Sequence, residues 1–382
     1  MARNELESVE EAQRAAQARL GIIGAYLALF EWTGSVGILN PAATGAEWTA
    51  YVVKLVAAMR GQSRRLAQSY YQLARALDAG ETLGVPEGDE DSLEVSLSRL
   101  RQRFLDELLE INSLGREVAS GADELSAFLH DEALKASPDN DRNSKRGLPL
   151  SQVELDKYIQ TFLDHEGSDG VVPVEPFEWP VDTEYDVLDR ELTRYLKQKL
   201  TDLEGSLSKS VSKDEKEVPA ERREEALRKE HEEAGNKLAG DVHKHGIGSG
   251  TDTINKVSNV DKRVQVWARQ TGPRPCAFCA MLASRGFVYK TSKSATKSYA
   301  EHVKPDGFLG FSVSAYHPNC ACTAISRWES TGENDLPELN GYLEKMWPQV
   351  TAAYSGVDAL NAWRRWLNER YKVPEGQQVL EV

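Results

Sequence analysis

Apolar side chains recur at helical spacing along most of the chain, and this pattern predicts a largely helical protein. A first amphipathic helix is expected from about Asn4 to Trp32. A second, longer helix has its apolar residues three, four or seven positions apart, a heptad-like stripe. The members of this stripe are Trp48, Val52, Leu55, Met59, Leu66, Tyr70, Leu73 and Leu77. A third helix is expected to begin near Asp91 or Ser92, so residues 1–135 are predicted to form a helical bundle.

The helical spacing is lost between residues 136 and 182, where five prolines alternate with acidic residues and glycines. We expect an acidic arm or linker here, interrupted by one short helix at Val153–Leu163 and ordered only against a partner. Residues 183–250 regain helical spacing, pass through a run dense in both charges, and end at Gly246–Gly250, an expected hinge. Three histidines in this region are expected to be exposed: His231, His243 and His245.

Residues 251–332 alternate short strand-like and helix-like segments, which predicts a small α+β unit. A short helix is expected at Cys276–Ser284. The expected strands are Val264–Trp267, Phe287–Tyr289, Phe308–Val313 and Thr323–Trp328. Residues 333–382 form an aromatic-rich tail, with two helices expected near Leu336–Trp347 and Val357–Tyr371. The predicted fold class is therefore mainly α, a helical bundle followed by a small α+β C-terminal module.

Composition narrows the class of protein further. A chain of 382 residues is long enough for two or three units with buried cores. Its net charge of −14 argues against a protein whose whole surface binds nucleic acid. The best apolar run, Gly21–Phe30, is about half of the roughly 20 residues that a membrane-spanning helix needs, so no membrane partner is expected.

All four cysteines lie in two close pairs, and this is the strongest chemical signal in the chain. Cys276 and Cys279 form a C-x2-C pair, Cys320 and Cys322 form a C-x-C pair, and His317 lies three residues before Cys320. Such pairs are typical of a tetrahedral zinc site built from thiolate and imidazole ligands. Two ligand sets fit: all four cysteines, or three cysteines with His317. Synthesis in a reducing cytoplasm favours metal binding, whereas late disulfides and buried thiols are the alternatives.

An enzymatic interpretation uses some of the same residues. A cysteine nucleophile needs a histidine and an orienting carboxamide, and Cys276 or Cys279 with His317 and Asn319 supplies these residue types. Paired cysteines serve a nucleophile poorly, because they readily cross-link or bind metal. A structural site is therefore the preferred prediction.

Positive charge is concentrated beside the cysteines. Between Asp261 and Lys304 the chain has two acidic residues, Asp261 and Glu301, and nine basic ones. The basic residues are Lys262, Arg263, Arg269, Arg274, Arg285, Lys290, Lys293, Lys297 and Lys304. We expect a basic patch that contacts either nucleic-acid phosphates without reading sequence or an acidic protein partner.

These residues also carry a resemblance to a known family. The stretches Pro275–Gly286, Val288–Lys290 and His317–Ala324 (HPNCACTA) resemble the minor head proteins of tailed bacteriophages related to the F protein of phage Mu. The version carried by phages of actinobacteria is the most similar. The resemblance is close over residues 264–328 and loose over 45–80. Many members have arginine where this chain has Ala321.

The resemblance implies a minor capsid protein that acts in head morphogenesis. Such proteins enter the procapsid in few copies near the portal, so the implied partners are the portal protein and the major capsid or scaffold protein. The implied location is the capsid interior, after assembly in the host cytoplasm. A capsid maturation protease is the alternative function.

Overall fold

The computed structural model describes residues 2–84, 93–120, 152–164, 170–182, 184–213, 220–271, 275–296, 322–329 and 336–370. This part of the chain is mainly helical, as predicted, with two small sheets. The predicted strand at Phe308–Val313 lies outside the described residues, as do His317, Asn319 and Cys320.

The helices of the described residues are numbered in chain order. They are α1 (Ala2–Ser35), α2 (Pro41–Thr44), α3 (Ala46–Ala79), α4 (Leu97–Ser120), α5 (Gln152–Leu163), α6 (Tyr185–Lys213), α7 (Ala220–Val260), α8 (Ala277–Ala283), α9 (Ser292–Thr296), α10 (Glu338–Thr351) and α11 (Gly356–Arg370). The strands are β1 (Thr82–Leu83), β2 (Glu94–Ser96), β3 (Val171–Glu175), β4 (Val266–Gln270) and β5 (Thr323–Arg327).

The main hydrophobic core lies between three long helices, α1, α3 and α7, with α4, α5 and α6 packed around them. Where α1 turns back through α2 into α3, the buried rings of Trp32 and Trp48 meet edge to face with centroids 5.1 Å apart. Aromatic pairs prefer this geometry, which adds to the stabilisation from burial. The helical core thus extends beyond the predicted bundle of residues 1–135 and includes α5, α6 and α7.

Helix α1 is buried on nearly all sides, whereas the sequence predicted an amphipathic helix. Its polar residues Glu10, Gln13 and Gln17 are as buried as its alanines. Gln17 accepts a hydrogen bond from Ser63 Oγ at 2.8 Å and donates to the Ser63 carbonyl oxygen at 3.1 Å. The helix is surrounded because α3 and α7 cover one part of it and α4 and α5 another.

The predicted hinge at Gly246–Gly250 is wrong, because these residues lie buried inside the 41-residue helix α7. Glycine is needed there for close packing of helices. A Cβ atom at Gly250 would lie 2.4 Å from Ser63 Oγ and 2.5 Å from the Ser63 carbonyl oxygen. The prediction of exposed histidines is also wrong for His243 and His231, which are buried in the same helix.

Part of the predicted arm is held against the assembly of α1, α3, α4, α5, α6 and α7, which we call the body. Helix α5 confirms the short helix expected there. Strand β3 pairs with β1 in parallel and with β2 antiparallel. Beyond β3, Trp179 Nε1 donates to the Gly84 carbonyl oxygen at 2.9 Å and Arg60 Nε donates to Asp182 at 3.2 Å. Residues 170–182 therefore find their partner within the same chain, because strand pairing and an aromatic side chain anchor them.

The C-terminal unit is built on an antiparallel pair of strands, with β4 and β5 in register from Val266↔Arg327 to Gln270↔Thr323. The strand expected at Phe287–Tyr289 is reduced to one bridge between Trp267 and Tyr289. Helices α10 and α11 pack on α8, where small alanine side chains admit Leu343 and Trp363. The aromatic tail thus packs on the module of its own chain.

None of the described helices combines the length and the apolar character needed to cross a membrane.

Candidate functional site

Two of the predicted site residues lie on helix α8. Cys276 is the N-cap of this helix, and its Sγ accepts the backbone N–H of Cys279 at 3.4 Å. A side-chain acceptor at this position satisfies one of the unpaired donors of the first turn. The C-x2-C spacing therefore places both sulfur atoms at the N-terminal end of α8, with the side chains buried to 7% and 2% exposure.

The strand pairing brings the third cysteine to the same place. Cys322 immediately precedes β5, beside the Gln270↔Thr323 pair that ends the ladder. It is 5% exposed and forms one buried cluster with Cys276 and Cys279, against which Phe278 packs. We call these three residues the cysteine cluster. The structure thus unites three of the five predicted ligands, and His317 and Cys320 lie outside the described residues.

Within the part of the chain that the structure describes, no set of three or more histidine, cysteine, aspartate or glutamate side chains is arranged to hold a metal ion. Thiolate sulfur suits zinc, but the three sulfur atoms of the cysteine cluster are not arranged as a metal site in the described residues. His317 and Cys320 are the predicted ligands that remain, and both lie outside the described residues.

The sequence predicted Arg269 as part of a surface patch, but its side chain is buried and contacts the cysteine cluster. Its side chain is 1% exposed, and Nη1 donates to Cys279 Sγ at 3.7 Å while Nη2 donates to the Thr296 carbonyl oxygen at 3.1 Å. The sequence does contain a signal for this burial. Side chains alternate between the two faces of a strand, so Arg269 of β4 lies on the same sheet face as the buried Trp267.

Of the other residues of the predicted basic patch, Arg274, Lys297 and Lys304 lie outside the described residues. Five of its members are exposed in the described residues: Lys262, Arg263, Arg285, Lys290 and Lys293. Arg263 is also engaged by Glu81, with Nε 3.0 Å from Oε1. We call these five residues the basic face.

Asp261, one of the two acidic residues in that stretch, is buried and joins the module to the body. Its Oδ2 accepts Trp328 Nε1 at 2.7 Å, Tyr71 Oη at 2.9 Å and Arg75 Nε at 3.0 Å. Its Oδ1 accepts the backbone N–H of Arg263 at 3.0 Å. Its lone pairs are satisfied by donors from α3, from Trp328 just after β5 and from its own loop, so the carboxylate fixes where the module attaches.

A second polar contact ties β5 to helix α1. Arg327 and Glu10 form a bidentate ion pair in which the residues are 3% and 1% exposed, with Nη2 3.1 Å from Oε2. The guanidinium carbon also lies 4.4 Å above the centre of the Phe287 ring. Burial raises the pKa of Glu10 above its usual value, although the positive charge of Arg327 opposes this shift.

Part of the chain is similar to a known protein family. The model of a phage-associated family, described as VG15 protein, matches residues 191–349. The match runs from α6 through α7 and the cysteine cluster into α10, which is less than half of the chain. No curated protein and no solved structure matches. The part of the chain that carries the cysteine cluster is therefore similar to a family of phage proteins.

Proposed function

We propose that this chain is a minor head protein of a phage particle, with a structural role in head assembly near the portal. The observation that carries the proposal is the coincidence of two stretches. The stretch similar to a phage family, residues 191–349, contains the cysteine motif that resembles the minor head proteins related to phage Mu F. The proposed location is the interior of the capsid, and the proposed partners are the portal protein and the major capsid or scaffold protein.

Burial of the thiols supports a structural role over the alternative of a capsid maturation protease. A nucleophile must be reached by an extended peptide, yet the three described cysteines are at most 7% exposed. They pack against Phe278 in an apolar cluster. Such surroundings suit a site that stabilises the module.

The same cluster is proposed to be a zinc centre. Cys276, Cys279 and Cys320 would supply three ligands, and His317 or Cys322 would supply the fourth. Zinc bound there would stabilise the module, since structural zinc sites contribute directly to folding. Metal analysis of the purified full chain tests this: about one zinc per chain is expected. Absence of zinc, with the thiols either reduced or bridged, would contradict it.

The basic face is proposed to make non-specific contacts with packaged DNA. Five exposed cations, one of them shared with Glu81, would give a moderate, salt-dependent affinity, because binding releases counterions from the phosphates. Contacts with the portal would depend on apolar surface and would persist at moderate salt.

The placement is tested with purified heads. Quantitative mass spectrometry of proheads and mature particles should find few copies of this chain, and detergent-free disruption should release it together with portal protein at moderate salt. Its absence from heads, or its presence as an abundant outer-surface protein, would overturn the proposal.

The enzymatic alternative is tested in the same system. Cys276→Ala and Cys279→Ala are expected to lower the stability of the module while the other head proteins are still processed. If either variant folds as well as the natural chain and yet blocks head-protein cleavage, the protease function replaces the structural one.

A further inference from the structure

Two side chains one turn apart on α3 each contact both the arm and the module. Tyr71 and Arg75 lie on the same face of α3, and both are at most 1% exposed. We propose that they couple the docking of residues 170–182, which we call the arm segment, to the attachment of the module. A partner that draws the arm segment away from α3 would then loosen the module, and a change at the module would act back on the arm segment.

The ring of Tyr71 is the apolar link. It meets Trp179 of the arm segment edge to face with centroids 6.3 Å apart, and Trp328 of the module edge to face with centroids 5.1 Å apart. Trp179 is anchored by its hydrogen bond to the Gly84 carbonyl oxygen, and Trp328 is 3% exposed. Removing the Trp179 ring would uncover one side of Tyr71, so the contact between Tyr71 and Trp328 would lose part of the burial that stabilises it.

The guanidinium of Arg75 is the polar link. Its Nη2 donates to Glu175 of β3 at 2.7 Å, and its Nε donates at 3.0 Å to Asp261, the carboxylate that also accepts Trp328 Nε1. A third carboxylate, that of Glu81 just before β1, lies 3.1 Å from the same Nη2. Because one buried cation is shared among these carboxylates, the loss of Glu175 changes how Arg75 binds the other two.

The two links are expected to differ in strength. The side chain of Glu175 is 57% exposed, so solvent screens its ion pair with Arg75. The contacts of the Tyr71 ring are apolar and are not weakened by salt. We therefore expect Trp179 to contribute more to the coupling than Glu175, and we expect its contribution to persist at high salt.

The arm offers a matched control in its own short helix. Phe162 of α5 also meets an aromatic ring edge to face, that of Phe104 on α4, with centroids 5.5 Å apart. This pair involves neither Tyr71 nor Arg75. Trp179→Leu and Phe162→Leu each replace an aromatic ring of the arm by leucine, and both should lower the overall stability. Only Trp179→Leu should act selectively on the module.

The experiment measures hydrogen exchange of the full chain by mass spectrometry and compares the protection of β4 and β5 with that of α5. In Trp179→Leu, the protection of β4 and β5 should fall about three- to tenfold, at low and at high salt alike. In Glu175→Gln the fall should be smaller and should vanish at high salt. In Phe162→Leu, α5 should lose protection while β4 and β5 stay within about twofold of the natural chain. When Tyr71→Leu is already present, Trp179→Leu should change the protection of β4 and β5 by less than about twofold, because the apolar link is gone.

The coupling is overturned if Trp179→Leu leaves the protection of β4 and β5 unchanged, or lowers it no more than Phe162→Leu does. An undiminished effect of Trp179→Leu in the Tyr71→Leu background would also overturn it, because Tyr71 would then not be the link. If Trp179→Leu does not fold, Glu175→Gln decides. A loss of protection in β4 and β5 that disappears at high salt supports coupling through Arg75, and unchanged protection at low salt overturns the proposal.

Discussion

The ion pair between Glu10 and Arg327 gives the sharpest test of how the module is attached. Both side chains are nearly fully buried, at 1% and 3% exposure, so neither charge is screened by solvent. Glu10→Leu would leave the guanidinium buried without this partner. Breaking a buried pair from one side typically costs about 3–5 kcal/mol. We expect the same range for Arg327→Met, because the carboxylate of Glu10 then loses its bidentate donor.

The double variant Glu10→Leu with Arg327→Met should behave differently from the sum of its parts. Replacing both charges by apolar side chains of similar volume removes the cost of desolvating them, so it is expected to be within about 2 kcal/mol of the natural chain. The two substitutions should therefore be strongly coupled in a double-mutant cycle. The exposed ion pair between Arg228 and Glu232 serves as the control, because both side chains are more than half exposed. Glu232→Leu breaks this pair and should lower the free energy of unfolding by less than about 1 kcal/mol.

The assay is urea unfolding at pH 8, followed by tryptophan fluorescence, because Trp328 lies next to this junction. A chain with more than one unit can unfold in steps, so hydrogen exchange of the β5 amides should identify which transition contains the module. The reasoning fails if Glu10→Leu costs less than about 1 kcal/mol, or if the two single effects simply add. Either result would mean that the junction is held by apolar contacts such as Trp328 on Tyr71, whose ring centroids are 5.1 Å apart.

Three further predictions concern helix α7. Burial lowers the pKa of His243 from 6.5 to about 4, so its neutral form contributes stability above pH 6.5 that is lost as the pH falls through 4. This amounts to up to about 3 kcal/mol, and His243→Gln should flatten that part of a plot of urea midpoint against pH. Burial raises the pKa of Asp252 from 3.8 to about 7, so its stabilising effect is complete below pH 3.8 and lost as the pH rises through 7. Asp252→Asn should therefore stabilise the protein at pH 8 and have little effect at pH 4, as judged from thermal unfolding at both values. Gly250→Ala should lower the unfolding temperature because its Cβ would collide with Ser63, whereas Gly205→Ala, with open space at that position, should raise it slightly.

Local sequence patterns predicted the helices well, because the spacing of apolar residues indicates which face of a helix is buried. The helix expected at about Asn4–Trp32 is α1, and the stripe from Trp48 to Leu77 lies within α3. The hinge prediction failed at Gly246–Gly250 for a physical reason. Glycine in a helix is unfavourable in isolation, but two helices that approach closely leave no space for a Cβ, and spacing along one helix does not reveal its neighbours.

The sequence predicted the part of the candidate site that depends on residues close together in the chain. C-x2-C fixes two sulfur atoms on one helical turn, so Cys276 and Cys279 could be placed together from their spacing. The position of Cys322 beside these two residues depends on the register of β4 with β5, and this register is a long-range property. Arg269 could not be assigned from composition, because arginine is usually exposed. Its burial agrees with the alternation along β4 and with its position opposite Ala324 in the ladder.

The module is attached to the rest of the protein by buried polar groups and by one buried tryptophan. The module has separate small cores around Leu343, around Trp267 and around the cysteines. Trp328 of the module is buried in the main core of the body. The carboxylates of Glu10 and Asp261 bind Arg327 and Trp328 of the module. Apolar surfaces tolerate sliding, whereas a bidentate ion pair and a carboxylate with four donors fix one orientation. The buried charges of Glu10, Arg327 and Asp261 therefore help to fix the orientation of the cysteine module relative to α1 and α3.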